Sequence, residues 1–169
     1  MSHSLPLPPS KDSFLRQTTI RRFHMPHKAK SLPKAQPNMR DDNQRERILV
    51  VDDDHAFQRM LEMTLGKRYE VICFSSGDDI NDLIDSYDPQ LIILDVNLPG
   101  QSGFDVCEKI RNEGHGRNIP ILFLSASKDN SSFLKGLDVA GDAFLTKPCE
   151  IQELMQRIRY LIDRYERLL

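Results

Sequence analysis

The sequence predicts an α/β fold, a doubly wound sheet of five parallel strands with helices on both faces. Three observations predict it. Short apolar runs alternate with helical stretches five times between residues 48 and 168. The central runs, Ile48-Leu49-Val50-Val51 and Leu91-Ile92-Ile93-Leu94, are apolar throughout, as strands covered on both faces must be. Both runs end in carboxylates, Asp52-Asp53-Asp54 after the first and Asp95 after the second.

The elements follow in order. The first strand spans residues 48–51, and Asp54 caps a first helix over about 55–66. In that helix Ala56, Met60, Met63 and Thr64 are placed near one face, flanked by Phe57, Leu61 and Leu65. The second strand is 69–74, and Ser75-Ser76-Gly77 turns it into a second helix over about 78–87. Ile80, Leu83 and Ile84 face inward there, and Asp88-Pro89 ends it. The third strand is 91–94, followed by the long loop 98–103 and a third helix over about 104–112. Pro120 precedes the fourth strand, 121–124, and a fourth helix is expected over about 131–139. The fifth strand is 143–146, and Lys147-Pro148 leads into a fifth helix over about 151–168.

Charge divides the chain in two. Residues 1–44 carry +5 and hold six of the ten prolines, whereas residues 45–169 carry −7. The first segment cannot bury enough apolar surface to offset its ordering entropy, so residues 1–44 are expected to be a disordered basic, proline-rich tail. The second segment, 45–169, is the folded domain, and its acidity argues against direct nucleic-acid binding. Cys73, Cys107 and Cys149 lack CxxC spacing and are odd in number, which suits reduced thiols in a reducing compartment. No apolar run approaches the roughly 18 residues a membrane helix needs.

The strand ends carry the chemistry. In such sheets ligands sit beyond the carboxyl ends of the strands. Asp52 and Asp53 end the first strand, Asp95 the third, Ser125 the fourth and Lys147 the fifth. Three adjacent acids repel one another unless a cation arrives, and oxygen ligands suit a hard one, Mg²⁺ first. A carboxylate can also attack phosphorus, giving an aspartyl phosphate. Lys147 and the metal would then stabilise the transferring oxygens, and the Ser125 hydroxyl could donate to one of them.

The segments Ile48-Leu49-Val50-Val51-Asp52-Asp53, Leu94-Asp95-Val96-Asn97-Leu98-Pro99-Gly100, Leu124-Ser125-Ala126 and Phe144-Leu145-Thr146-Lys147-Pro148 together resemble the receiver domain of two-component response regulators. The resemblance covers about residues 47–168 and implies the flavodoxin-like strand order 2-1-3-4-5. It implies Asp95 as phosphoacceptor. Asp53 and Asp95 become direct Mg²⁺ ligands with the Asn97 carbonyl, and Asp52 orients metal-bound water. Lys147 holds the acceptor carboxylate, then the phosphate, while Ser125 and Phe144 form the switch pair. The Lys147–Pro148 peptide is expected to be cis. Two positions depart from the family's pattern, Gln90 before the third strand and Ala143 in the approach to the fifth, and neither touches the chemistry.

The implied function is a cytoplasmic phosphorylation-dependent switch. A histidine kinase or phosphotransfer protein donates the phosphoryl group, and the face of the fourth helix, fifth strand and fifth helix controls a downstream protein or a homodimer. Lys135, Asp142, Glu153, Arg157 and Arg159 are candidate charges for that contact. Self-catalysed phosphotransfer and slow hydrolysis are its only expected catalysis. Two alternatives stand beside it. The chain could be the receiver fragment of a larger regulator with an output domain. It could instead be a Mg²⁺-dependent phosphatase with an aspartate nucleophile, although such enzymes need an acid two residues beyond the nucleophile, where Asn97 stands.

Overall fold

The computed structural model describes residues 45–126 and 141–167. Five strands, β1 (Arg47–Val51), β2 (Glu70–Phe74), β3 (Leu91–Asp95), β4 (Ile121–Ser125) and β5 (Ala143–Thr146), form the main sheet. Its order is β2-β1-β3-β4-β5, with every pair parallel. This is the doubly wound, flavodoxin-like order. The helices are α1 (His55–Leu65), α2 (Ile80–Tyr87), α3 (Gly103–Asn112) and a C-terminal helix (Ile151–Glu166). The expected tail over residues 1–44 and the expected helix over 131–139 lie outside the described residues.

Successive strand residues point to opposite faces, so each strand feeds two cores. Ile48, Val50, Leu91, Ile93, Leu122 and Leu124 pack with Leu61 and Leu65 of α1 and with Leu154, Ile158, Leu161 and Ile162 of the C-terminal helix. Leu49, Val51, Ile92, Leu94, Ile121 and Phe123 pack on the other side with Ile80 and Ile84 of α2 and Val106, Cys107 and Ile110 of α3. Both faces are therefore covered, which is why the central strands contain no polar alternation.

Local signals set the helix ends. The Asp54 carboxylate accepts from the N–H groups of Ala56 (2.8 Å) and Phe57 (3.1 Å), capping α1. Ser102 and Asp105 form a reciprocal capping box at the start of α3. Asp88 takes a left-handed conformation (φ 51°) where α2 stops. The off-pattern Gln90 serves the fold: its side-chain oxygen accepts from the Arg47 N–H at 2.7 Å, tying the start of β1 to the approach to β3.

The structure departs from the expected pattern at four places. The inward stripe of α1 is Gln58, Leu61 and Leu65, whereas Met63 is 76% exposed and Ala56 faces solvent. The loop after β3 is a small antiparallel ribbon pairing Asn97–Leu98 with Gln101–Ser102, turned at Gly100 (φ 80°). A 3-10 turn, His115–Asn118, precedes β4. Asp142 is not available to a partner: it accepts from Arg111 (2.9 Å), the Ile121 N–H (2.8 Å) and the Tyr165 hydroxyl (2.5 Å). No helix among the described residues is long and apolar enough to cross a membrane.

Candidate active site

The sheet order reverses between β1 and β3, and that is where the acids gather. Asp52 follows β1, Asp95 ends β3 on the adjacent strand, and Asp53 stands exposed beside them. One carboxylate oxygen from each lies within 4.8 Å of the other two. Asp52 and Asp95 are buried, at 1% and 6% exposure. Gly103 permits the close approach of α3, because a Cβ there would collide with the Asp95 carbonyl.

Lys147, directly after β5, reaches across to both buried acids. Its Nζ lies 2.5 Å from Asp52 Oδ2 and 3.2 Å from Asp95 Oδ2. The Lys147–Pro148 peptide is cis. The Lys147 backbone N–H donates to the Ser125 carbonyl at 2.7 Å, and Ser125, at the end of β4, is fully buried. Asn97 is exposed in the ribbon after β3. Phe144 is half-buried on β5, its ring 6.5 Å from that of Phe123, which lies 5.0 Å from Phe104.

Three carboxylates face one ammonium. Burial pushes the Asp52 carboxyl above its ordinary value, against the opposing pull of Lys147 and of the Asp54 N–H. Asp95 Oδ2 is engaged by Lys147, whereas Asp95 Oδ1 is buried and has no hydrogen-bond partner. An orphaned buried carboxylate oxygen beside two further acids is an all-oxygen donor set that fits a hard divalent cation.

All the strand-end residues singled out in the sequence therefore converge: Asp52, Asp53, Asp95, Ser125 and Lys147. Two neighbours were not legible in that way. The Phe57 ring lies under the Lys147 ammonium, 4.4 Å from centroid to Nζ. Gln58 is buried on α1 and donates to the Asp52 carbonyl. Both sit on the first turn of a helix, where apolar periodicity alone does not separate site from core. A polar residue on the inward stripe was the available signal.

The surroundings of the site recur in known proteins. A Porphyra purpurea protein named as a probable transcriptional regulator is 35% identical over 128 residues, covering 75% of this chain and 51% of that protein. The chain thus spans about half the length of that curated relative. A solved chain named as a response regulator from Chloroflexus aurantiacus is 35% identical, with a TM-score of 0.67, covering 71% of this chain and 99% of that one. The receiver domain of a Pseudomonas aeruginosa sensor histidine kinase, solved with a magnesium ion coordinated in its active-site cleft, is 25% identical. Its TM-score is 0.65, over 70% of this chain and 98% of that one. The family model for the response regulator receiver domain matches residues 48–159, a span that takes in the acids, the serine and the lysine together, and this chain belongs to that family.

Proposed function

We propose that this chain is a phosphorylation-dependent switch whose phosphoacceptor is Asp95, loaded by a histidine kinase or a phosphotransfer protein. Receiver domains are signalling domains that bind Mg²⁺ in their acidic cluster and work with histidine kinases and downstream partners. The residue assignments here are this chain's own. One observation carries them: Asp95 has one oxygen held by Lys147 at 3.2 Å and the other free of any hydrogen bond. A carboxylate oriented by a lysine, with bonding capacity left over beside two further acids, supports its role as the group that shares the cation and takes the phosphoryl group.

Asp53, Asp95 and the Asn97 carbonyl would hold Mg²⁺ directly, and Asp52 would orient its water. When bound, the metal neutralises the acids and stabilises charge on the phosphoryl oxygens. A carboxylate oxygen of Asp95 would attack phosphorus. The bond from phosphorus to the donor breaks, and its electron pair leaves with the donor's imidazole nitrogen. Lys147 follows the negative charge from the carboxylate to the phosphoryl group. The Ser125 hydroxyl donates to a phosphoryl oxygen, and Phe144 moves into the space that serine vacates, a shift between two pre-existing states.

The downstream partner, or a second copy of the chain, reads the face of β5 and the C-terminal helix. Glu153, Arg157 and Arg159 are exposed on that helix, with Arg159 paired to Asp163 at 3.7 Å. The −7 charge of residues 45–169 favours a protein partner over nucleic acid. Three free cysteines suit a reducing, cytoplasmic setting.

Acetyl phosphate with Mg²⁺, read by intact-protein mass, tests the acceptor. Wild type gains one phosphoryl group, and Asp95→Asn gains none. A variant that still labels at another residue removes Asp95 from the role. A second reading, a receiver within a longer regulator, draws support from the match to half of a probable transcriptional regulator. The phosphatase reading has no support from residue 97, which is Asn.

A further inference from the structure

Four polar side chains are buried among the described residues: Asp52, Asp95, Ser125 and Gln58. The first three belong to the proposed phosphoryl-transfer site. Gln58 has no part in it so far, yet its amide reaches the same strand ends. Its Nε2 donates to the Asp52 carbonyl, and also lies 3.2 Å from the Phe74 carbonyl and 3.4 Å from Ser75 Oγ. Its Oε1 lies 3.3 Å from His55 Nδ1. The Asp52 N–H in turn donates to the Phe74 carbonyl at 2.9 Å. One side chain thus ties the first turn of α1 to the ends of β1 and β2, directly behind the acids.

We infer that Gln58 is a positioning residue for the divalent-cation site, acting through the peptide plane between Asp52 and Asp53. The peptide unit is rigid, so holding the Asp52 carbonyl also fixes the Asp53 nitrogen and Cα. Both carboxylates hang from the Cα atoms of that plane. Asp52 and Asp53 supply two of the three converging carboxylates. Without a cation these groups repel, and a free peptide plane would let them turn apart. The Gln58 amide, anchored in a helix and shielded from water, opposes that rotation. It holds the acids in the arrangement a cation needs before the cation arrives.

This inference rests on the acids binding a divalent cation, and the test separates the two ideas. Mg²⁺ affinity is measured by calorimetry, well below the melting temperature, for wild type, Gln58→Met, Gln58→Asn and the remote core variant Ile162→Val. Gln58→Met keeps the length and loses the donor. It is expected to weaken Mg²⁺ binding about five- to tenfold. Gln58→Asn keeps a shorter amide and should fall between that variant and wild type. Ile162→Val loosens the core on the C-terminal helix and should bind Mg²⁺ as wild type does. If Gln58→Met does not fold, the Asn variant decides. Affinity within twofold of wild type in whichever Gln58 variants fold, with wild type binding normally, overturns the positioning role alone. A weakening matched by Ile162→Val reduces Gln58 to general stability and overturns it too. No saturable binding by wild type overturns both this inference and the metal site beneath it.

Discussion

Asp52 is held by three interactions that act on it in different directions. Burial opposes its charge, while Lys147 at 2.5 Å and the Asp54 N–H at 3.0 Å favour it. Burial wins, so its folded value lies above the ordinary 3.8. The folded chain therefore prefers Asp52 protonated. That contribution to stability is complete below 3.8 and is lost as pH rises through the folded value. At neutral pH the ionised group is a burden on the metal-free fold. Asp52→Asn removes it, and Lys147 still has Asp95 as a partner. In EDTA at pH 7 the variant is expected to melt above wild type. The advantage should shrink as pH approaches 4, and Mg²⁺ should raise the melting temperature of wild type far more than that of the variant. Thermal melts across pH, with and without Mg²⁺, check this; a variant less stable than wild type at pH 7 means the lysine pair outweighs burial. The acids, Ser125 and Lys147 were legible in the sequence because each follows an apolar run. Gln58 and Phe57 reach the same place by helical rotation, which no strand-end pattern encodes.

At the scale of the element, α1 shows what a sequence pattern resolves and what it leaves out. Its start was legible, because a carboxylate before a helical run satisfies amides that otherwise lack partners. Its inward face was not, since the stripe Gln58-Leu61-Leu65 contains a polar residue and the competing Met60-Met63 pair is apolar. Counting apolar positions therefore selects the wrong phase, and Met63 ends in solvent. The cap makes a prediction with a sign. The N–H groups of Phe57 and Ala56 hold the Asp54 carboxyl below its ordinary 3.8. A lowered folded value contributes stability above 3.8 that is lost as pH falls through the folded value. Asp54→Ala should lower the melting temperature by a few degrees at pH 7, and the deficit should narrow below 3.8. Circular-dichroism melts of the two proteins follow it. A deficit that stays constant into acid would place the effect in the capping hydrogen bonds themselves and not in the carboxylate's charge. The same variant leaves Asp52 and Asp53 intact, so Mg²⁺ binding separates loss of the helix start from loss of the acids.

For the whole molecule, fold class was legible from uniformly apolar strands, whereas strand order needed the family resemblance, because alternation alone does not say which strand lies at the edge. Equally hidden was the network that closes the sheet's far end. Arg111 of α3 pairs with Asp142 before β5, side chains 13% and 17% exposed, and donates to the Gly116 and Ile119 carbonyls. Tyr165 of the C-terminal helix completes it from the opposite layer, and burial with the Asp142 contact pushes its phenol up to about 12. Residues 31 and 23 positions apart in sequence meet there, and no local pattern announces a contact of that range. Asp142 and Ile121 lie at the amino ends of β5 and β4, and the acids lie at the carboxyl ends of β1 and β3. The sheet therefore separates a stabilising end from a reactive end. Asp142→Ala removes the acceptor of three hydrogen bonds, from Arg111, the Ile121 N–H and Tyr165, and should cost about 3 kcal/mol in urea unfolding. At temperatures where the variant is fully folded, Mg²⁺ affinity and the rate of Asp95 labelling by acetyl phosphate should match wild type, because no atom of the network touches the acids. A slowed labelling rate in the folded variant would mean that the far end of the sheet is coupled to the acid site through β4 and β5, the strands that carry Ser125 and Lys147 at their other ends.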